Sequence, residues 1–230
     1  MPRRHKDYDY ELSKALSLFL RHTARELGYQ IHSDARVTVE DVLHHLSQQW
    51  RCKALHAVHK RLYGDVPIRR FEIFTVIKFS KKDRFQAFGN GREGERKCIT
   101  HLRAVNGHSP RFGPVDDSEI YTILHLPDSP KDPKLPPHCI HGTTHSHLQR
   151  ILQEGLRPGG VSGNRTHVYA APWPHNHPKC VGGMRKESEV SIHIDLRACM
   201  VAGMEWMVSA NGALQTASSI PPQQQRPLAQ

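Results

Sequence analysis

The sequence holds no apolar run long enough to cross a bilayer. Its longest, Ala15 to Leu20 and Phe71 to Phe79, fall far short of the roughly 20 residues that a span requires. Cysteine is scarce. The five copies, at positions 52, 98, 139, 180 and 199, form no CxxC pair and no disulfide-dense pattern, so reduced thiols in an intracellular setting, nucleus or cytoplasm, are expected. No secretory signal is expected, because Pro2, Arg3, Arg4, His5 and Lys6 are followed by acidic and polar residues instead of an apolar stretch. No GxGxxG follows a strand-like segment, which excludes the Rossmann way of holding a dinucleotide. Acidic residues are also in deficit, 22 Asp and Glu against 32 Lys and Arg, a difference of +10 with 18 His in reserve. That balance points to a polyanionic partner.

What is present suffices for one domain or two small lobes, with 37% hydrophobic content over 230 residues. Residues 9 to 28 place Leu12, Leu16, Phe19, Leu20 and Leu27 at near-helical spacing, with Gly28 as a stop. A second helix is expected from about Thr38 to Gln48, with Thr38 as its cap, and a third over 53 to 63. The run FEIFTVIKF at 71 to 79 has no clean period and is read as helical. Residues 84 to 88 and 97 to 105 read as strands joined by the turn GNGREGE, and helices followed by a small hairpin suggest a winged-helix type of lobe. Five prolines between 127 and 137 mark the expected boundary.

The expected organisation is therefore an N-terminal lobe over 9–126, a Pro-rich linker at 127–137, and a mixed α and β lobe over 138–217. In that second lobe 146 to 155 reads as a helix, and 167 to 171 and 189 to 196 as strands, with 119 to 126 a further strand before the linker. The last stretch, 218–230, is expected to be a disordered tail for want of apolar residues. The fold class is α+β.

Three segments set cationic or imidazole side chains beside structural punctuation. Arg21 and His22 stand together on the first helix, where neighbours diverge by about 100°, so that one can face a common centre while the other flanks it. In RAVNGHS (103 to 109) Gly107 permits a tight path, His108 and Ser109 offer donors, and Arg103 can grip a phosphate with two N–H groups. His141-Gly-Thr143 opens the second lobe. Taken singly, each has a plain explanation as solvated helix residues, turn chemistry or a helix cap.

Taken in order they say more. LSKALSLFLRH (12 to 22), KKDRF (81 to 85), LRAVNGHS (102 to 109), HGTTHSHLQRILQEGL (141 to 156) and NRTHVYAA (164 to 171) together resemble the RNA 2'-phosphotransferase family, Tpt1/KptA. The resemblance covers about residues 11 to 215. It implies an N-terminal winged-helix-like RNA-binding lobe and a C-terminal ADP-ribosyltransferase-like lobe that holds NAD.

The activity it implies is removal of an internal 2'-phosphate from RNA, spliced tRNA in the family, in two metal-free steps that consume NAD. The phosphate attacks the nicotinamide ribose to give a 2'-phospho-ADP-ribosylated RNA, and a neighbouring hydroxyl then attacks phosphorus. The products are 2'-hydroxyl RNA, nicotinamide and ADP-ribose 1'',2''-cyclic phosphate. Such chemistry suits arginine, which stabilises phosphoryl oxygens without losing its proton. The family's catalytic Arg-His-Arg-Arg set maps onto Arg21, His22, Arg103 and Arg165, each arginine contributing about 2–4 kcal/mol to the transition state. The resemblance also assigns His141, Gly142, Thr143 and His167 to NAD, and Lys14, His108 and Ser109 to substrate phosphate or RNA.

The chain departs from the family pattern in places. Asn106 stands where Gln is usual, and Ala35-Arg36 where Gly-Trp is favoured. PGGVSGN precedes Arg165, and Arg157 is its rival for the fourth catalytic place. His175, His177 and Cys180, like His56 and His59, lack the second cluster of a zinc site, so no metal is expected. The competing functions are an ADP-ribosyltransferase that stops on a nucleic-acid phosphate and an inactive RNA-binding module. A monomer without membrane attachment is expected.

Overall fold

The computed structural model describes residues 5–48, 51–89, 99–128, 135–160, 163, 165–185 and 187–229. The chain divides into two compact units, Met1–Asp116 and Asp117–Gln230.

In the first unit, α1 (Lys6–Leu18) buries Leu12 and Leu16 and runs into a five-residue π-helical turn, Phe19–Thr23. The Ala24 N–H donates to Phe19 O (3.1 Å), five residues back. The wider ring lets the consecutive Phe19 and Leu20 both reach the core, and Gly28 adopts φ 81° where the chain turns away. The expected 9 to 28 helix is therefore shorter, and its last part is a turn. Thr38 caps α2 (Val39–Ser47) as its sequence suggests, its Oγ1 accepting from the Asp41 N–H (3.1 Å). α3 (Lys53–Tyr63) follows. The ambiguous 71 to 79 run is α4 (Arg70–Lys78), decided locally by Glu72, whose Oε2 accepts from the Arg69 N–H (2.6 Å).

β1 (Val37–Thr38), β2 (Phe85–Gly89) and β3 (Ile99–Ala104) form an antiparallel sheet in the order β1-β3-β2. The register sets Gln86 directly opposite Arg103. The turn expected between the two longer strands lies, apart from Gly89, outside the described residues.

The second unit begins earlier than the proline-rich segment. α5 (Asp117–Ile120) and β4 (Thr122–Ile123) replace the single strand expected at 119 to 126, and β4 pairs with Met207 and Val208, which ties this stretch to the C-terminal sheet. Positions 129–134 of the expected linker lie outside the described residues. β5 (Ile140–Thr143), α6 (His145–Glu154), β6 (Val168–Ala170), β7 (Val190–Ile194), α7 (Leu196–Val201), β8 (Met207–Val208), β9 (Leu214–Thr216) and β10 (Gln225–Ala229) complete it. They form two antiparallel sheets, β10-β7-β5 and β4-β8-β9-β6, joined by a bridge between Ile140 and Ala171. Trp206, Leu214, Ile192, Cys199 and Ile220 are central to the core.

The expectation of a disordered tail is overturned. Ile220 is fully buried and bridges Leu156, and β10 pairs with β7 from Gln225 to Ala229. The buried Ile220 anchors the segment, backbone pairing extends it, and the Gln225 side chain donates to Ile220 O (2.7 Å) while Gln224 Oε1 accepts from the Cys199 thiol (2.9 Å). Pro227 is tolerated because β10 is an edge strand with only one neighbour.

Candidate active site

In the first unit, two of the three blocks singled out in the sequence meet, Arg21-His22 and the 103 to 109 segment. Arg21 and His22 ride on the π turn, which packs against β3 and against the short 3-10 turn Pro110–Phe112. The Arg21 carbonyl accepts from the Ser109 N–H (3.0 Å) and from its hydroxyl (3.4 Å). Gly107, at φ 81°, leaves the loop lying along the Arg21 side chain, where a β-carbon would sit 3.5 Å from Nη1. His108 is buried against Phe112 (ring centroids 4.9 Å), and Ser109 is buried beside it. Arg103, near the end of β3, is only 8% exposed. Its Nε donates to Gln86 Oε1 (2.8 Å), its Nη1 to Asp34 O (3.2 Å), and its guanidinium lies 5.0 Å over the Phe88 ring. Lys14 stands apart, exposed on α1 with its Nζ 6.0 Å over Tyr10.

In the second unit, His-Gly-Thr is strand β5 itself, and the cap of α6 is the next residue, Thr144. His141 Nδ1 bonds to Tyr169 O (2.8 Å). A carbonyl only accepts, so Nδ1 carries the proton. Burial, opposed by that hydrogen bond and aided by the Arg185 charge, lowers the ring's pKa, so the imidazole is neutral and its Nε2 is an acceptor. Gly142 is required by close packing, since a β-carbon there would overlap Met184 and Ser188.

The two rivals for the fourth arginine differ in surroundings. Arg157 is exposed and faces Glu154 at 3.7 Å. Arg165 is partly buried, and desolvation together with the Arg185 cation pulls its pKa down, against the Tyr169 phenol. Arg165 thus feels the Arg185 cation, as His141 does, together with the Tyr169 phenol, a setting in which an anion would be welcome. His167 is buried, with Nε2 3.1 Å from Asp117 Oδ2 and Nδ1 2.8 Å from Thr166 Oγ1. A contact from it to a cofactor would have to exchange one of those bonds.

A family model described as RNA 2'-phosphotransferase, Tpt1/KptA, matches residues 7–218. The chain belongs to this family. Its similarity to tRNA 2'-phosphotransferase 1 of Danio rerio is 31% identity over 93% of the chain and 80% of that relative. Against tRNA 2'-phosphotransferase 1 of Homo sapiens the identity is 30% over 93% of the chain and 71% of the relative. The tRNA 2'-phosphotransferase of Saccharomyces cerevisiae is 28% identical over 93% of the chain and 80% of its own length.

As an enzyme of the RNA 2'-phosphotransferase family, the chain carries site features that the sequence reading passed over. Arg185 reaches both His141 and Arg165 electrostatically. The signal for it was the preceding Val-Gly-Gly, because a β-carbon on Gly183 would overlap Ala170 O, so this glycine lets the Arg185 segment lie against the end of β6. Asp34, Gln86 and Phe88 were also missed. Among the described residues no group of three His, Cys, Asp or Glu assembles as a metal site, and His177 is stacked on Trp173 (4.4 Å). No helix among the described residues is long and apolar enough to cross a membrane.

Proposed function

We propose that this chain removes the 2'-phosphate from ligated tRNA at the expense of NAD, with Arg21, His22, Arg103 and Arg165 as its catalytic set. The observation that carries this reading is the meeting in the first unit of two separately legible blocks, the Arg21-His22 turn and the 103 to 109 segment that carries Arg103, His108 and Ser109. On this reading that unit is the winged-helix-like RNA lobe, and the second is the ADP-ribosyltransferase-like lobe. The choice of Arg165 over Arg157 rests on its partial burial beside Arg185, in contrast to Arg157's acidic neighbour.

The donor set of the second unit fits NAD. The neutral His141 offers Nε2 to a ribose hydroxyl, and Arg165 with Arg185 supplies positive charge for a pyrophosphate. NAD supplies an anomeric carbon with a good leaving group, so the RNA phosphate, already an anion at neutral pH, needs placement more than a base. Arg21 and Arg103 hold its oxygens, and as charge gathers on phosphorus in the second step they stabilise it without proton transfer. His22 hydrogen-bonds a phosphate or ribose hydroxyl and serves proton movement there.

The test is incubation of the purified chain with a short RNA bearing one internal 2'-phosphate, with and without NAD and without added metal, the products resolved by mass. Loss of the phosphate together with a cyclic phosphate of ADP-ribose is the expected outcome, and Arg103→Ala should lower the rate by about 10²–10³-fold. An RNA adduct that never resolves would reassign the chain as an ADP-ribosyltransferase. Binding without any product would make it an RNA-binding module.

A further inference from the structure

An arginine that stabilises a transition state must be held before the reaction begins, since a guanidinium free to turn has to be ordered at the moment of need. Arg103 is held from three sides by groups that the proposed reaction does not use. Gln86, its direct cross-strand partner, takes Nε at 2.8 Å. The Asp34 carbonyl takes Nη1 at 3.2 Å, and Phe88 underlies the guanidinium plane at 5.0 Å. Asp34 also brings a carboxylate, with Oδ2 3.8 Å from Nη1.

A carboxylate so close would be expected to draw off the positive charge that catalysis needs. Here it is drawn on more strongly from elsewhere. Arg36 Nε lies 2.5 Å from the same Oδ2, the Arg36 N–H donates to Oδ1 (3.3 Å), and the Arg36 guanidinium also lies over Phe88, at 5.1 Å. The turn that makes this possible passes through Ala35 at φ 65°, closed by the His32 N–H donating to Arg36 O (3.0 Å) and the Ala35 N–H donating to His32 O (3.0 Å).

We propose that Gln86, Asp34 and Phe88 are positioning residues that aim Arg103, and that Arg36 occupies the Asp34 carboxylate so that Arg103 keeps its charge for the substrate. The inference rests on Arg103 serving the reaction proposed above. It assigns no substrate contact to the other four residues. Arg36, which stands where the family favours an aromatic side chain, thereby has a defined task in this chain.

The experiment is chemical rescue in the full-length protein. Arg103→Ala leaves a place shaped for guanidinium between Gln86, the Asp34 carbonyl and Phe88, so added guanidinium ion should restore the rate by about tenfold or more. Adding Gln86→Ala to that variant should raise the guanidinium concentration needed for half-rescue by about tenfold. Equal rescue with and without Gln86 would overturn the proposal. In the otherwise unaltered chain, Gln86→Ala should lower kcat while KM for NAD stays within about twofold, because the interaction acts in the transition state. A rise in KM with kcat unchanged would also overturn it.

A readout free of activity separates this inference from the function it rests on. The Arg103 Nε–H resonance should show slow solvent exchange and hindered guanidinium rotation, both lost in Gln86→Ala, which removes the acceptor of that N–H. A resonance indifferent to that substitution sinks the inference even if the enzyme is active. If the unaltered chain removes no phosphate, the proposed reaction falls, and this resonance alone decides whether Arg103 is held as described.

Discussion

Among single residues, Ala35 carries the clearest mismatch between side chain and backbone. It is fully buried and sits in the left-handed region at φ 65°, where a β-carbon crowds the following carbonyl. The sequence had already marked the place, since glycine is favoured there in the family. Ala35→Gly should relieve the strain and raise stability by about 0.5–1 kcal/mol, read as a higher urea midpoint at unchanged slope. The proposed catalytic residues could be named only because five blocks in order resemble a family, each block alone having a plain structural explanation. Their supports could not be: Gln86, Asp34 and Phe88 look like ordinary strand and turn residues, and only the β2-β3 register brings them to Arg103.

At the scale of elements, legibility followed how local the cause was. Thr38 capping Asp41, and Gly28 ending the first helical region, act within a few residues and could be read directly. The π turn could not, because it arises where the buried pair Phe19-Leu20 must both meet the core while Arg21 and His22 ride on the same turn. The C-terminal strand was missed for the opposite reason: β10 is poor in strand-forming residues and depends on β7, more than thirty positions away. Its anchor is Ile220. Ile220→Ala should cost about 2–4 kcal/mol, seen as a lower melting temperature and as hydrogen exchange at β10 and β7 amides.

For the whole molecule, acid should weaken both units, since each buries a histidine whose pKa burial lowers, His45 in the first and His141 in the second. His45 in the first unit stacks on Phe19 (4.1 Å) with its Nε2 3.9 Å from Cys52 Sγ, and burial, then the Arg51 and His44 charges, lower its pKa from 6.5 to about 4. The unfolded chain binds that proton near 6.5 and the folded unit only near 4, so the stabilisation is complete above 6.5 and is lost as pH falls toward 4. The loss should reach roughly 3 kcal/mol over that window. Urea unfolding between pH 7 and 4 checks it, and His45→Phe should flatten the dependence for the first unit.

The place of β10 in the strand order has a further consequence, for vectorial synthesis. The first unit is one continuous stretch and can fold while the ribosome is still at work on the second. The sheet β10-β7-β5 cannot close until residues 225–229 have emerged, so for that interval β7 offers an open backbone edge to whatever chain is near. A chain halted shortly before those residues would hold every candidate catalytic side chain and still be the species most prone to aggregate.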